Sequence, residues 1–186
     1  MSLLNALNRS MPAAKRAGLG TRIAALETTV NALATALDTI HLQNRFLLSA
    51  PVLVIKAGSS AVVKSSGAFT ALVAGTYVSK AADTDMAALS GNTAAGKYAL
   101  YDFYMDSAGT ITSAKAADAA TAAAALLLLP ALPINKVRLG YIIVHNGTLA
   151  AFQGNTTALD AADITVTYVN GTTTDAFTAA PVSVLT

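Results

Sequence analysis

Between residues 22 and 45 six large apolar side chains, Ile23, Leu26, Val30, Leu33, Leu37 and Ile40, follow one another in steps of three, four, three, four and three. On a helix this places them on one narrow stripe, the a and d positions of a heptad, with Asn44 at the following a position. A seven-residue repeat winds such stripes around one another with a left-handed supercoil. The pattern predicts a coiled coil from about Thr21, taken as the N-cap, to Arg45. Ile23 and Val30 at a with Leu26 and Leu33 at d favour two strands, whereas Leu37 at a with Ile40 at d favours three or more; a polar Asn44 fixes register. Ala24, Ala25, Ala32, Ala34 and Ala36 widen the apolar surface, so the same helix could also lie on a sheet of its own chain. The seam alone does not offset the ordering of so long a helix. A neck between an anchor and a domain that also oligomerises is therefore expected.

From Pro51 onward the period shortens to two. Short β-rich runs separated by turn residues are read at 52–56, 61–64, 69–73, 76–80, 98–105, 110–114, 140–145, 148–152, 164–169 and 182–185. Asn146-Gly147 and Asn170-Gly171 have the composition of two-residue type I′ turns, which predicts hairpins joining 141–145 to 148–152 and 164–169 to 172–177. A third hairpin is expected across residues 106–109. The alanine- and leucine-rich stretch 116–129 reads as a short helix closed by Pro130 and Pro133, or equally as an extended crossover buried between subunits. Upstream, residues 1–21 form a basic arm in which Pro12, Gly18 and Gly20 are expected to prevent a continuous helix. The resulting divisions are an arm over 1–21, a neck over 22–48 and an antiparallel β-sandwich, jelly-roll-like, over 49–186.

Composition narrows the class. Hydrophobic residues make up 54% of the 186 and charged residues only 12%, about half the usual share for a globular protein. So bare a surface suits a protein that is covered in an assembly. Cysteine is absent, which excludes thiol catalysis, disulfides and thiolate metal sites. The net charge of +2 with scattered cations outlines no nucleic-acid stripe. The most apolar run, 119–129, is too short to span a membrane, which takes about 20 residues. Residues 1–7 lack the charge pattern of a signal peptide, although Arg9, Lys15, Arg16 and Arg22 precede the first acid, Glu27, as in a transit peptide.

Sites for chemistry are sparse. Gly91 to Lys97 has the spacing of a phosphate loop, but Tyr98 stands where a hydroxyl should meet magnesium, and a strand follows where a helix should open. Gly18 and Gly20 lack the rest of a dinucleotide fingerprint. Asp83 and Asp85 provide too few oxygens for calcium. His41 and His145 lie in different modules, and no nucleophile completes a constellation of His145 with Asp102 or Asp106. No catalytic residue, cofactor or metal is expected, and Asn8, Asn146, Asn155 and Asn170 head Asn-x-Ser/Thr triplets of the kind a threonine-rich chain contains by chance.

Within 129–171, Pro130 and Pro133 are followed by a Gly140-led apolar strand, by Phe152, by Gly154 to Leu159 in a Gly-x-Thr-Thr-x-Leu-like stretch one residue longer than the pattern, and by the β-run 164–169. This segment resembles tailed-bacteriophage virion proteins of the head-fibre and head-decoration type. The resemblance implies a homotrimeric accessory protein on the capsid surface, partnered by the major capsid protein; it does not cover the arm or the neck, and the mainly β class and the lack of a nucleic-acid or membrane partner rest on pattern and composition. On this expectation Ile23, Leu26, Val30, Leu33, Leu37, Ile40 and Asn44 form the oligomer interface. Leu3, Leu4, Leu7, Arg9, Lys15 and Arg16 form the capsid anchor. The rival expectation is a tail-fibre or receptor-binding virion protein holding a host-surface ligand, for which Tyr98, Tyr101 and Tyr104 are the candidate contacts, although their alternation also suits plain core packing; a capsid-associated depolymerase is a third.

Overall fold

The structure, a computed structural model, describes residues 12–43, 45–147 and 150–173. The chain divides into two units, residues 1–41 and 42–186, each considered by itself. Helix α1 spans Ala13–Gln43: it starts before the expected neck of 22–48 and stops short of its end, because residues 45–48 belong to a β-strand that pairs with 70–73. Gly18 and Gly20 lie inside it, against expectation, and nothing stands within 4 Å of where a Cβ would sit on either. Their cost of about 1 kcal/mol each is the ordinary one for glycine in a helix, and the alanine-rich sequence around them outweighs it. Pro12 stands just ahead of the first turn, where its missing N–H costs nothing, and its carbonyl accepts from the Lys15 N–H at 3.0 Å. Thr21 is not the N-cap. It lies two turns inside the helix and donates its hydroxyl to the Ala17 carbonyl at 3.1 Å.

The second unit is mainly β, with several antiparallel sheets. Strands β1 (Arg45–Ser49), β4 (Phe69–Val73) and β5 (Thr76–Lys80) form a three-stranded sheet in the order β1-β4-β5. Strands β2 (Leu53–Ile55) and β3 (Val63–Ser65) pair with each other, and β6 (Asn92–Thr93) pairs with β10 (Phe152–Gln153). The largest sheet runs β11-β9-β7-β8, from β7 (Lys97–Asp106), β8 (Ile111–Lys115), β9 (Lys136–Asn146) and β11 (Ile164–Asn170). Helix α2 is confined to Ala122–Leu127, shorter than the expected 116–129, because Ala119 is drawn into a bridge with Tyr98 and Thr121 caps the helix by accepting from the Ala124 N–H.

Alternation along β7 assigns its two faces. Ala99, Tyr101, Phe103 and Met105 enter the main core with Val137, Leu139, Ile142 and Val144 of β9 and with Leu47, Phe69, Ala71 and Val73 of the three-stranded sheet. Leu100 on the opposite face joins Ile143, Ala116, Ala119 and Ala125 in a smaller cluster beneath α2. A strand buried on both faces reads as a nearly unbroken apolar run, which β7 does.

The type I′ turns expected at Asn146-Gly147 and Asn170-Gly171 are not formed, and residues 148–149 and 174–177 of the two expected hairpins lie outside the described residues. Asn146 ends β9 opposite Ile164 and Lys97, and its amide donates to the Thr93 and Ala150 carbonyls. Phe152 pairs with Thr93 of β6 and not with β9. Asn170 lies opposite Gly140 and accepts from the Leu53 N–H, while the Gly171 N–H continues the ladder to the Leu139 carbonyl. Neither Asn-Gly pair has the positive φ that a type I′ turn requires. That geometry occurs at Ala74-Gly75, with φ of 48° and 75°, between β4 and β5. The hairpin over 106–109 forms as expected, with Asp106 Oδ1 accepting from the Ala108 and Thr110 N–H groups. The expected strands at 148–152 and 182–185 fall wholly or partly outside the described residues.

Gly140 is placed where no other residue fits. Its φ is 144°, and a Cβ would meet the Val169 carbonyl oxygen at 2.5 Å and the Gly171 nitrogen at 2.9 Å. Here β9 carries one residue more than β7: Phe103 faces Gly140 and Tyr104 faces Arg138, so Leu139 is the bulged residue. Gly140→Ala is expected to lower unfolding stability by about 3 kcal/mol or more, through backbone strain and displacement of β11; urea denaturation checks this.

Candidate functional site

The seam is the candidate site with the clearest geometry. In the single chain Leu26, Val30, Leu33 and Leu37 are 59–66% exposed, and Ile23 is exposed as well. Ile40 falls within α1, but its side chain and the whole of Asn44 are outside the described residues. Because α1 begins at Ala13, the seam gains a residue beyond those expected: Leu19, four before Ile23, is at a d position and is exposed. The three-four spacing runs on through it, and only the glycines on either side disguise it as part of a break. Arg22 and Glu27 flank the seam at g and e positions. Opposite it, Thr21, Thr28 and Thr35 donate their hydroxyls to the carbonyls of Ala17, Ala24 and Asn31.

The expected anchor residues are only partly covered by the structure. Leu3, Leu4, Leu7 and Arg9 lie outside the described residues. Lys15 is exposed in the first turns of α1, and Arg16 follows it in the helix, so both belong to the helix and not to an arm ahead of it.

In the β unit the chemically notable group is Asp102, fully buried beside Arg138. Arg138 Nε donates to both carboxylate oxygens at 3.0 and 2.8 Å, and its Nη2 donates to the Pro130 carbonyl at 2.6 Å. The guanidinium lies over the Tyr104 ring, 5.8 Å from its centroid. Burial pushes the Asp102 carboxyl above its ordinary range despite the pull of Arg138. Burial, with Asp102 adjacent, raises the Tyr104 hydroxyl strongly. This triad ties the loop at Pro130 to the outer face of the sheet.

The remaining motifs are occupied structurally. Asp83 pairs with Lys64 and Asp85 with Lys56, each carboxylate facing an ammonium instead of sharing an ion. Gly91 and Gly96 both have positive φ in a turn that feeds β7, as the phosphate-loop mismatch predicted. His145 stacks on Tyr98 with ring centroids 4.2 Å apart, four register positions from the Asp102–Tyr141 pair. Tyr101 and Tyr104 are buried, so for these two the core-packing reading holds and the exposed-contact reading does not. Tyr101 Oη instead meets Thr93 Oγ1 at 3.3 Å within the core. Among the described residues no group of three or more His, Cys, Asp or Glu is placed to hold a metal, and no helix is long and apolar enough to cross a membrane. A shallow depression of about 330 Å³ is lined by residues 88–92 and 153–156.

Neither a scan of protein-family models nor searches of curated proteins and of solved structures find a match to this chain.

Replacing Arg138 by Met leaves Asp102 buried beside no cation, and such a break costs about 3–5 kcal/mol. The acid's folded pKa, already raised, then rises further, so stability falls as pH climbs from the unfolded value through the folded one. The Arg138→Met deficit should accordingly be larger at about pH 7 than at about pH 4, which denaturant titrations at the two pH values will show.

Proposed function

We propose that this protein is a structural component of a bacteriophage virion that decorates or cements the capsid as a homotrimer, with a parallel coiled coil gathering three chains and a β-sandwich domain facing outward. The observation that carries the reading is the ridge from Leu19 to Leu37, open to water along a helix of 31 residues. An isolated helix with one apolar stripe exposed is marginal in water and gains its stability by burying that stripe. Arg22 and Glu27 support a parallel, in-register arrangement. A g residue then meets the e residue five positions on in the neighbouring helix, and here those two carry opposite charges.

The attachment end is read from the cations. Lys15 and Arg16 stand in the opening turns of α1, where no acidic residue offsets them and the helix dipole disfavours positive charge. Cations kept at that cost suit an acidic external surface. With Leu3, Leu4, Leu7 and Arg9 they would form three weak arms joined by one stalk, a geometry in which each bound arm raises the effective concentration of the others. The resemblance of 129–171 to head-fibre and head-decoration proteins supports the capsid as that surface. Its pattern residues are built into the core, with Phe152 and Leu159 buried and Gly140 sterically required.

The alternative, a tail-fibre or receptor-binding protein, loses two of its three tyrosines to the core but keeps one feature. The depression at 88–92 and 153–156 carries Asn92, Gln153 and Asn155, whose amides suit the hydroxyls of a host-surface glycan. Labelling of virions for electron microscopy separates the two readings by placing the protein on heads or on tails.

Sedimentation equilibrium of the full chain is expected to give a trimer, and Leu26→Asp with Leu33→Asp to give monomers that retain the β-domain circular dichroism. Removing residues 1–12, upstream of α1, should leave the trimer intact and abolish binding to capsids depleted of the protein. A wild-type chain that sediments as a monomer at every concentration would falsify the trimer.

A further inference from the structure

We propose that the depression at 88–92 and 153–156 is a binding site for a neutral sugar, whose hydroxyls meet the amides of Asn92, Gln153 and Asn155. This gives the glycan of the second reading above a chemical class, and it needs neither the capsid nor the trimer. The depression, of about 330 Å³, falls at the small end of the roughly 300–1,000 Å³ typical of small-molecule sites.

Its polar groups are placed by backbone pairing. Asn92 and Gln153 face each other across the β6–β10 ladder, so their side chains leave the same face with Cβ atoms about 5 Å apart. Their neighbours Thr93 and Phe152 point the other way and are buried. The backbone beneath is fixed. The Gly154 N–H donates to the Gly91 carbonyl at 3.0 Å, the Gln153 N–H donates to Thr157 Oγ1, and the Gln153 carbonyl accepts from the Thr156 and Thr157 N–H groups. Gly154 lies so close to Leu89 that a Cβ would meet the Leu89 carbonyl at 3.0 Å.

These amides are also uncommitted. Asn92, Gln153 and Asn155 are exposed, and their side chains make no hydrogen bond to any described residue. The other Asn residues of 45–173 are engaged elsewhere: Asn146 donates to the Thr93 and Ala150 carbonyls, Asn170 accepts from the Leu53 N–H, and the Asn135 oxygen is buried. The free amides of that stretch therefore gather at one place.

The lining selects the ligand. It has no Asp, Glu, Lys or Arg, and the ammonium of Lys115, whose stem passes beside Gly91, is paired with Asp118. A phosphate, a carboxylate or an acidic peptide would lose hydration there and find no opposite charge. An apolar anchor finds no pocket either, since the one large hydrophobic residue of the lining, Leu89, is buried. A primary amide both donates and accepts, as does each hydroxyl of a vicinal pair, so neighbouring amides match neighbouring hydroxyls.

Saturation-transfer difference NMR on the full chain tests this. The probes are the methyl glycosides of glucose, galactose, mannose and N-acetylglucosamine, with the methyl glycoside of glucuronic acid as the charged control. At millimolar concentration at least one neutral glycoside is expected to receive saturation, and the glucuronide none. Asn92→Ala combined with Gln153→Ala should weaken that binding by about tenfold or more, as the loss of two hydrogen-bonding groups implies. Both positions are exposed, so the circular dichroism of the fold should be retained; Asn155→Ala, a smaller change, should weaken binding in the same direction. No transfer to any neutral probe, equal transfer to the glucuronide, or binding that survives both variants overturns the site. Finding the protein on heads or on tails moves none of these results, so the sugar site and the second reading fail separately.

Discussion

One surplus residue in β9 sets the arrangement of the β unit. Up to Gly140 the strand pairs with β7 in regular alternation; past it, Leu139 bulges and Tyr104 faces Arg138. Without that extra residue Arg138 would lie opposite Met105, on the face that packs into the main core. With it, the guanidinium emerges beside Asp102, Leu139 and Val137 both enter the core, and β11 closes over a glycine that has no Cβ to obstruct it. Core packing, the buried ion pair and the position of the loop at Pro130 follow from a single change of register.

The same loop links the interior of the domain to its surface. Arg138 and Arg45 grip carbonyls at Pro130 and Pro133, so the leucines around α2 are presented on a fixed backbone. A preorganised apolar surface loses little conformational freedom when it is covered. The helix presents its stripe in the same way, on regular secondary structure and in a repeat that specifies one register. Both surfaces are low in charge, in keeping with a chain that has little charge to place anywhere.

Where the fold was legible in the sequence, local chemistry and tertiary packing agreed. Residues 69–73 and 76–80 alternate cleanly and become β4 and β5 with the expected boundaries. The helix was legible because its large apolar residues recur at a helical period, although the glycines beside Leu19 hide its first turns by imitating a break. The Asn-Gly pairs misled because long-range partners claimed them: the Asn146 amide serves Thr93 and Ala150, and the Asn170 side chain serves Leu53. Conversely, Ala74 adopts a left-handed conformation that alanine seldom takes, so the tight turn it makes carried no signal. The pairing of Asp102 with Arg138 was illegible for a stronger reason. It depends on a bulge, and one inserted residue leaves no mark on composition or period.

The threonines on the far side of α1 have a consequence of their own. Thr21, Thr28 and Thr35 recur every seven residues, and each hydroxyl is turned back onto a carbonyl one turn earlier. The outward flank thus shows water mostly methyl groups, with few ions to hold a hydration layer or a counter-ion cloud. Helices with such flanks can lie side by side at high density without mutual repulsion, and changes in salt concentration would alter their spacing little.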